Sequence, residues 1–252
     1  DQLNKWAADV PEYAIRLAYK FWPGPMTLIL SRNQFVGDFV TGGQDTVGLR
    51  VPNNLLALEL ITEFEKESNS AIAAPSANRF GQVSPTSSAD VKDELQGYLS
   101  EFDLILDGEN SEIGIESTII DCSGVTPKIL RPGIISKEQV EEVCGLQSID
   151  NISNSKVKTS GLLTSHYSPV AEVVLDGKTS PADGFFAMAE IQTPTGAIRL
   201  GSPSTIEEYA KSLYSVLRLA DQKGLKRISV MQPSGDGLAI AIRDRLSKAA
   251  AR

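Results

Sequence analysis

Residues 116–131 read ESTIIDCSGVTPKILR, two short apolar runs separated by Ser, Gly and Pro. Apolar, β-branched runs on either side of a turn-forming segment are typical of a β-hairpin. Comparable runs, bounded by Gly, Pro, Asn or Asp, are MTLILS, TVGLRV, AIAA and DLILD at residues 26–31, 46–51, 71–74 and 103–107. Because the predicted strands outnumber the helices and partly adjoin one another, the pattern favours an α+β fold with a mixed sheet over a βαβ series.

Helical patterns alternate with these strands. The segment from Pro11 to Trp22 predicts an amphipathic helix with Pro in its first turn. Its buried stripe is expected to consist of Ile15, Leu17, Ala18 and Phe21. Further helices are predicted at residues 54–66, at 87–97 behind a Ser87–Asp90 capping box, and after residues 136–139 with Val140 and Val143 facing inward.

The pattern changes near Ala171, where strands AEVVLDG, GAIRLG and KRISVM alternate with helices at 204–222 and 236–250. The first of these helices has a predicted Ser204–Glu207 capping box and an apolar stripe of Tyr209, Leu213, Val216, Leu217 and Ala220. These features predict a small Rossmann-like α/β domain. We therefore expect one domain at residues 1–145, an interdomain linker at 146–170 that contains HYSP, and a second domain at 171–252.

Composition excludes several classes of protein. The 252 residues contain 41% hydrophobic and 22% charged residues, and no apolar run is long enough to cross a bilayer. The first ten residues have no signal-peptide pattern, and Cys122 and Cys144 have no zinc or redox spacing, so a cytoplasmic location is expected. The net charge of −8, with no Lys/Arg cluster, argues against direct binding to a nucleic-acid backbone.

The residue inventory also limits the chemistry. His166 is the only histidine, and neither a GxxxxGK[ST] loop nor a GxGxxG segment after a strand occurs. Polar residues instead follow or flank the predicted strands: Thr46, Arg50, Ser76, Asn78, Ser84, Ser117, Thr118 and Arg131. Each alone has an ordinary structural explanation as a turn residue, a strand residue or a solvated Arg. Their recurrence in one kind of setting nevertheless predicts a polar pocket formed by strand ends.

Five motifs occur in a fixed order: FWPGPMTLIL, VGLRVP, AIAAPSANRFGQVSPT, LILDGENSEIGIESTIID and ILRPG. In this order they resemble the threonylcarbamoyl-AMP synthase family, with its YrdC-like fold, through residue 135 or so. The HYSP segment and the α/β segment after it resemble the long, two-domain form of that family. The resemblance implies an enzyme that condenses L-threonine, bicarbonate and ATP into L-threonylcarbamoyl-AMP, releasing pyrophosphate, for tRNA threonylcarbamoyladenosine modification.

The resemblance also implies roles for individual residues. Threonine would be bound by Arg50, the backbone of Ala74 and the hydroxyl of Ser117. ATP would be bound by Thr46, Ser76, Ser84, Arg131 and Tyr167, with Asn78, Gly81 and Pro85 shaping the loop. Mg²⁺ is expected through the ATP phosphates, without a nameable protein ligand, and other proteins of the threonylcarbamoylation pathway are expected partners.

The family pattern begins upstream of residue 1, with Lys, Arg and Thr residues that bind triphosphate and threonine. This chain is therefore expected to be an N-terminally truncated form, and the resemblance leaves open whether the truncated form is active. One alternative is a non-catalytic nucleotide- or RNA-binding YrdC-like module, against which the acidic charge weighs. Another is a carbamoyl-transferring relative, but the sequence has no zinc-finger-like Cys motif or acylphosphatase-like region.

Overall fold

A computed structural model describes residues 3–146, 157–159, 161 and 166–251. In chain order the helices and strands are α1 (Leu3–Trp6), α2 (Glu12–Phe21), β1 (Met26–Ser31), α3 (Asp38–Thr41), β2 (Thr46–Leu49), α4 (Leu55–Ser68), α5 (Ser88–Leu95), β3 (Thr118–Asp121), β4 (Lys128–Arg131), α6 (Lys137–Cys144), β5 (Glu172–Leu175), β6 (Gly184–Phe186), β7 (Ile198–Gly201), α7 (Ile206–Gln222), β8 (Arg227–Val230) and α8 (Leu238–Ala250). None of the described helices is long and apolar enough to cross a membrane.

The chain forms two compact units, each built from two segments. The first unit comprises Asp1–Ala74 and Glu116–Leu162, and the second comprises Pro75–Ile115 and Leu163–Arg252. The predicted domain limits at 145 and 170 stay a prediction, and much of the predicted linker, residues 147–156, 160 and 162–165, lies outside the described residues.

The first unit contains a mixed four-stranded sheet in the order β2-β1-β3-β4. Strand β1 pairs antiparallel with β2 and parallel with β3, and β3 pairs antiparallel with β4. The last pair is the hairpin predicted from residues 116–131. The α+β prediction of a mixed sheet is confirmed.

The core of the first unit lies between the sheet and helices α2 and α6. Leu17 and Ala18 of α2 are buried as predicted, whereas Ile15 is 48% exposed and Ala14 occupies a buried position instead. The prediction for Ile15 is wrong because the buried arc of this short helix is centred one residue earlier. Helix α6 buries Val140 and partly buries Val143, and its capping box of Ser136 and Gln139 is formed.

The second unit contains an all-parallel sheet in the order β5-β8-β6-β7. Every residue of the predicted stripe of α7 is buried in the core of this unit. Helix α8 contributes a second buried apolar face, formed by Ala239, Ala241, Ile242, Leu246 and Ala249. Val83 and Ile115, from the other segment of the unit, belong to this core as well. The predicted α/β character of the C-terminal region is confirmed.

Two predicted strands are not formed. AIAA at 71–74 and DLILD at 103–107 form no strand, and neither pairs with a strand among the described residues. A β-former becomes a strand only where a neighbouring strand completes its hydrogen bonds, and here Ile72 is 38% and Leu104 85% exposed. Strand β6 was not predicted, because three residues carry no periodicity.

The cap of α7 lies one residue later than predicted. Thr205, not Ser204, is the N-cap, and its side chain accepts from the backbone N–H of Glu208 at 3.2 Å. The Glu208 carboxylate accepts in turn from the backbone N–H of Ser204 at 2.7 Å. The acidic partner is therefore Glu208 rather than Glu207, a one-residue shift that the adjacent Ser and Thr make invisible in the sequence. The Ser87–Asp90 capping box of α5, by contrast, is formed as predicted.

Candidate functional site

A polar cluster lies in the first unit where β1 and β3 begin. Strand β3 starts opposite the first residue of β1, since Thr118 pairs with Met26. Thr27 pairs with Ile119, and the side chain of Ser117 meets it diagonally across the two strands. Arg131 ends β4 and pairs with Ile119, so it reaches the same end of the sheet. Three strands therefore bring polar side chains from distant parts of the chain to one place.

Arg131 and Ser117 are the buried centre of this cluster. Arg131 is 6% and Ser117 3% exposed. The Arg131 Nε donates to the backbone oxygen of Ser117 at 3.1 Å, and Nη2 donates to the Ser117 hydroxyl at 3.2 Å. A guanidinium that is held at two points keeps its orientation, because its planar fork has few alternative positions.

Thr27 completes the cluster, although sequence reasoning did not identify it. Its Oγ1 lies 2.8 Å from the Ser117 Oγ, and either hydroxyl can donate. A Thr within an apolar strand is ordinarily a β-former, so its residue type gave no signal. Only the β1–β3 register reveals it.

Arg50 follows β2 and lies at the same end of the sheet, since β2 runs antiparallel and Leu49 pairs with Leu28. Its Nε donates to the backbone oxygen of Gly24 at 3.1 Å. Loss of hydration, and then the like charge of Arg131, lower the pKa of Arg50 below its ordinary value. Two guanidiniums at the same end of a sheet offer favourable charge and hydrogen-bond donors to an anion such as a carboxylate or a phosphate.

Thr46 lies apart from the cluster at the start of β1. Thr46 begins β2 and pairs with Ser31 at the other end of β1, four residues and roughly 13 Å along the strand from Arg50. Ala74 is exposed and lies outside the helices and strands. The structure therefore brings Arg50, Ser117 and Arg131 together and does not bring Thr46 to them.

In the second unit, residues 76–84 form a compact loop. The Asn78 Nδ2 donates to the backbone oxygens of Arg79 at 2.8 Å and Gln82 at 3.2 Å, which is the buttressing expected from the sequence. Gly81 has a φ of +80°, a value that favours Gly at this turn. Ser84 is buried, with 7% of its surface exposed, while Ser76 is exposed.

Tyr167, from the HYSP segment, is held in the core of the second unit. It is 1% exposed and has a φ of +62°, which is uncommon for a non-Gly residue. Its ring centroid lies 5.4 Å from that of Tyr214 and 4.0 Å from that of His166, and the Arg245 guanidinium lies 5.8 Å from it. The adjacent backbone is also fixed, because the N–H of Ser168 donates to the oxygen of Gly81 at 3.0 Å.

An ion network beside the 76–84 loop was missed by sequence reasoning. Glu94 of α5 accepts from the Arg79 Nε at 2.9 Å, and its second oxygen lies 3.4 Å from the Arg218 Nη1 on α7. The Arg218 Nη2 also donates to the backbone oxygen of Val83. Glu94 and Arg218 are separated by 124 residues, so no local pattern could have paired them.

Neither cysteine is suited to nucleophilic catalysis. Cys122 and Cys144 are both buried. Burial raises the pKa of each thiol, that of Cys122 well above its ordinary value, so both remain protonated near neutral pH. No three His, Cys, Asp or Glu side chains form a metal-binding group within the parts of the chain that the structure describes.

Comparison with known proteins gives two family matches that together span nearly the whole chain. A family model described as telomere recombination, Sua5_yciO_yrdC, matches residues 1–133. A second, described as threonylcarbamoyl-AMP synthase, C-terminal domain, matches residues 135–251.

Individual relatives agree with these matches. The threonylcarbamoyl-AMP synthase of Pyrococcus abyssi is 36% identical over 99% of this chain and 77% of its own length. That of Bacillus subtilis is also 36% identical, over 99% of this chain and 76% of its own length. The crystal structure of P. abyssi Sua5 complexed with L-threonine superposes with a TM-score of 0.84 at 33% identity, covering 99% of this chain and 77% of that one.

Proposed function

The chain belongs to the threonylcarbamoyl-AMP synthase family, and we propose that the cluster at the start of β1 and β3 binds the anionic groups of its substrates. Members of this family are enzymes of the nucleotidyltransferase type that use L-threonine and ATP. The observation that supports this most strongly is the strand register, which brings two guanidiniums, those of Arg50 and Arg131, to the same end of one sheet. Both are tied to fixed acceptors, Gly24 and Ser117.

The reaction suits a site of this kind. The amine of threonine adds to bicarbonate and, with loss of water, gives a carbamate. An oxygen of the carbamate attacks the α-phosphorus of ATP, and the bond to the β-phosphate oxygen breaks to release pyrophosphate. The enzyme has to align the reactants and stabilise charge on carboxylate and phosphate groups. No covalent intermediate on the protein is needed, which agrees with the two protonated thiols.

For the amino-acid substrate, we propose that Arg50 pairs with the carboxylate. The guanidinium offers two parallel donors that match the two carboxylate oxygens. The Arg50 Nε already donates to the backbone oxygen of Gly24, and this hydrogen bond fixes the direction in which the Nη atoms point. The Ser117 hydroxyl and the backbone of Ala74 are proposed to hold the rest of the amino acid. Thr27 acts on Ser117 by sharing a hydrogen bond with its hydroxyl.

For the nucleotide, we propose contacts from Arg131, Ser76, Ser84 and Tyr167. The 76–84 loop supports this proposal through its fixed turn at Gly81 and the buttress from Asn78. The role of Thr46 at ATP stays a prediction. Thr46 lies at the opposite end of β2 from Arg50.

We propose that Mg²⁺ enters with ATP. Mg²⁺ keeps several waters and is commonly bound through substrate phosphates together with one or two carboxylates. It would supply charge neutralisation on the phosphates during transfer. No protein ligand is proposed for Mg²⁺ itself, because a guanidinium such as that of Arg131 only donates hydrogen bonds and would act on the phosphate oxygens beside the ion.

The wider setting follows from the product. An acyl adenylate is hydrolytically labile, so it has to be consumed promptly by a protein that transfers the threonylcarbamoyl group to tRNA. We propose that the chain works in the cytoplasm beside other proteins of the threonylcarbamoylation pathway. With 24 basic and 32 acidic residues, the chain itself offers little attraction for the tRNA backbone.

The test of the Arg50 assignment is ligand-induced stabilisation of the folded chain. Threonine should raise the melting temperature of the wild type, and Arg50→Ala should abolish that rise while leaving the effect of ATP in place. Arg16→Ala is the matched control, because Arg16 also donates to two backbone oxygens of the first unit, those of Val143 and Cys144. Equal stabilisation of Arg50→Ala and wild type by threonine would contradict the assignment.

A further inference from the structure

The 76–84 loop is fixed from one side by helix α7. Arg218 lies in the middle of α7, on the flank of its buried stripe, and its side chain is only 13% exposed. Its Nη2 donates to the backbone oxygen of Val83, the residue immediately before Ser84. This hydrogen bond thus joins α7 to the peptide group immediately before Ser84, which is proposed to contact the nucleotide.

Glu94 extends this connection to the other end of the loop. One of its oxygens accepts from both the Nε and the backbone N–H of Arg79, at 2.9 and 3.3 Å, while the other faces Arg218. The Glu94 side chain is 9% exposed, so these interactions are screened less than those of a surface pair. The Glu94 carboxylate thus connects Arg79, near the start of the loop, with the Arg218 guanidinium, which holds the end of the loop at Val83.

Further contacts show that the loop is part of the second unit. Val83 is buried in the core that α7 forms, and the oxygen of Gly81 accepts from Ser168, the residue after Tyr167. Each part of the loop, at Arg79, Gly81 and Val83, is therefore held by a different element of that unit. A loop held in this way costs less conformational entropy when it binds a ligand.

We propose that Arg218 is a positioning residue for ATP. Through Glu94 and the backbone oxygen of Val83, it holds the 76–84 loop in the conformation that presents Ser84 to the nucleotide. This inference rests on the proposed role of Ser84 at ATP. It gives helix α7 an indirect part in nucleotide binding, since Arg218 itself contacts no substrate.

The experiment compares Arg218→Met with Arg218→Lys, Glu94→Gln and a matched control, Arg243→Met. Arg243 lies on α8 and also ties down a loop of the second unit, donating to the oxygens of Pro233 and Gly235 at 2.8 Å each. Arg218→Met keeps the length of the side chain and removes its charge and donors. Arg218→Lys keeps the charge but cannot reach Glu94 and Val83 with the geometry of a fork.

Two readouts are measured: the KM values for ATP and threonine in a pyrophosphate-release assay, and amide hydrogen exchange at Gln82 and Ser168. These amides donate to the oxygens of Arg79 and Gly81 and report on the loop directly. We expect Arg218→Met to raise the KM for ATP about tenfold, leave the KM for threonine within twofold, and speed exchange at both amides. Glu94→Gln and Arg218→Lys should give smaller effects in the same direction.

The outcomes separate this inference from the proposed function. If the wild type releases no pyrophosphate, the proposed function fails, while faster exchange in Arg218→Met still supports the positioning of the loop. If the wild type is active but Arg218→Met changes neither the KM for ATP nor the exchange at Gln82, the inference is wrong. An equal rise in KM for Arg243→Met would overturn it too, since the effect would then be one of general destabilisation. Should Arg218→Met fail to fold, Arg218→Lys decides by the same criteria.

Discussion

Arg131 donates to Ser117 twice, to its backbone oxygen at 3.1 Å and to its hydroxyl at 3.2 Å. The two residues lie 14 positions apart and meet because the β3–β4 hairpin places the end of β4 beside the start of β3. This contact ties the group proposed to face phosphate to the group proposed to face threonine. A change at either residue should therefore affect both substrates.

Arg131→Lys tests this coupling. Lys keeps the positive charge but cannot make both hydrogen bonds to Ser117, and a charge-assisted hydrogen bond is worth about 1.5–3 kcal/mol. We expect the KM for ATP to rise at least about tenfold and the KM for threonine to rise by a smaller factor. Steady-state kinetics check this, with Arg32→Lys, a salt-bridged residue at the end of the first unit's sheet, as the control. A variant with unchanged KM for both substrates would show that the fork is dispensable.

Gly114→Ala should destabilise the second unit strongly. Gly114 has a φ of +78°, and an added Cβ would lie 2.4 Å from the Lys211 Cα and 2.5 Å from the Ala210 oxygen on α7. The left-handed backbone costs about 1–2 kcal/mol with a side chain, and overpacking against rigid helix backbone adds about 1–3 kcal/mol. Urea denaturation measures the sum. Gly224→Ala is the control, because Gly224 has a φ of +64° with no atom within 4 Å of the added Cβ, and it should lose only the backbone part.

The Glu94 carboxylate should make stability depend on acid pH. Burial alone would raise the pKa of Glu94, but the hydrogen bonds from Arg79 and the charges of Arg79 and Arg218 outweigh it and lower the pKa. The folded state then binds this proton less readily than the unfolded state does. The stabilisation is present above the unfolded pKa of about 4.3 and is lost as pH falls through the lower, folded value.

Comparison of wild type with Glu94→Gln across pH 3 to 7 measures this effect. The wild type should have the larger free energy of unfolding near neutrality, by about 1 kcal/mol, and the gap should close below about pH 4. Glu63→Gln serves as the control, since the Glu63–Lys66 pair is exposed and should contribute little. A gap that stays constant down to pH 3 would mean that the charge of Glu94 is not what stabilises the loop.

The two cysteines should resist thiol reagents in the folded chain. Cys122 is fully buried and Cys144 is 6% exposed, and burial raises the pKa of both thiols. Since the thiolate is the reactive form and its fraction falls about tenfold for each unit of pKa, labelling by an aromatic disulfide at pH 8 should be slow. Both thiols should react at once in denaturant. Rapid labelling without denaturant would contradict the burial of these side chains.

How far the sequence predicts this structure depends on the range of the interactions involved. The β3–β4 hairpin, the stripe of α7 and the Ser87–Asp90 cap were predicted correctly because each is determined within about 17 neighbouring residues. Residues 71–74 and 103–107 have strand composition but no strand partner, and composition alone cannot supply the missing hydrogen bonds.

The same distinction applies to the candidate site. Arg50, Ser117 and Arg131 could be predicted as site residues because each lies in a local motif. Thr27 and the Glu94–Arg218 pair were not, since they are defined by contacts across 90 and 124 residues. Residue type gave no signal for Thr27, whose hydroxyl matters only because the parallel β1–β3 register sets it beside Ser117. The placement of Thr46 at the far end of β2 is likewise a consequence of strand direction.

The measurement that tests the central claim most directly is pyrophosphate release by the purified chain, with threonine and bicarbonate each omitted in turn. The proposed function predicts release from ATP only when both are present, and its loss in Arg50→Ala at threonine concentrations that saturate the wild type. Pyrophosphate release that does not depend on threonine, or the absence of release from a folded chain that binds ATP, would contradict it and favour a nucleotide-binding module without catalysis.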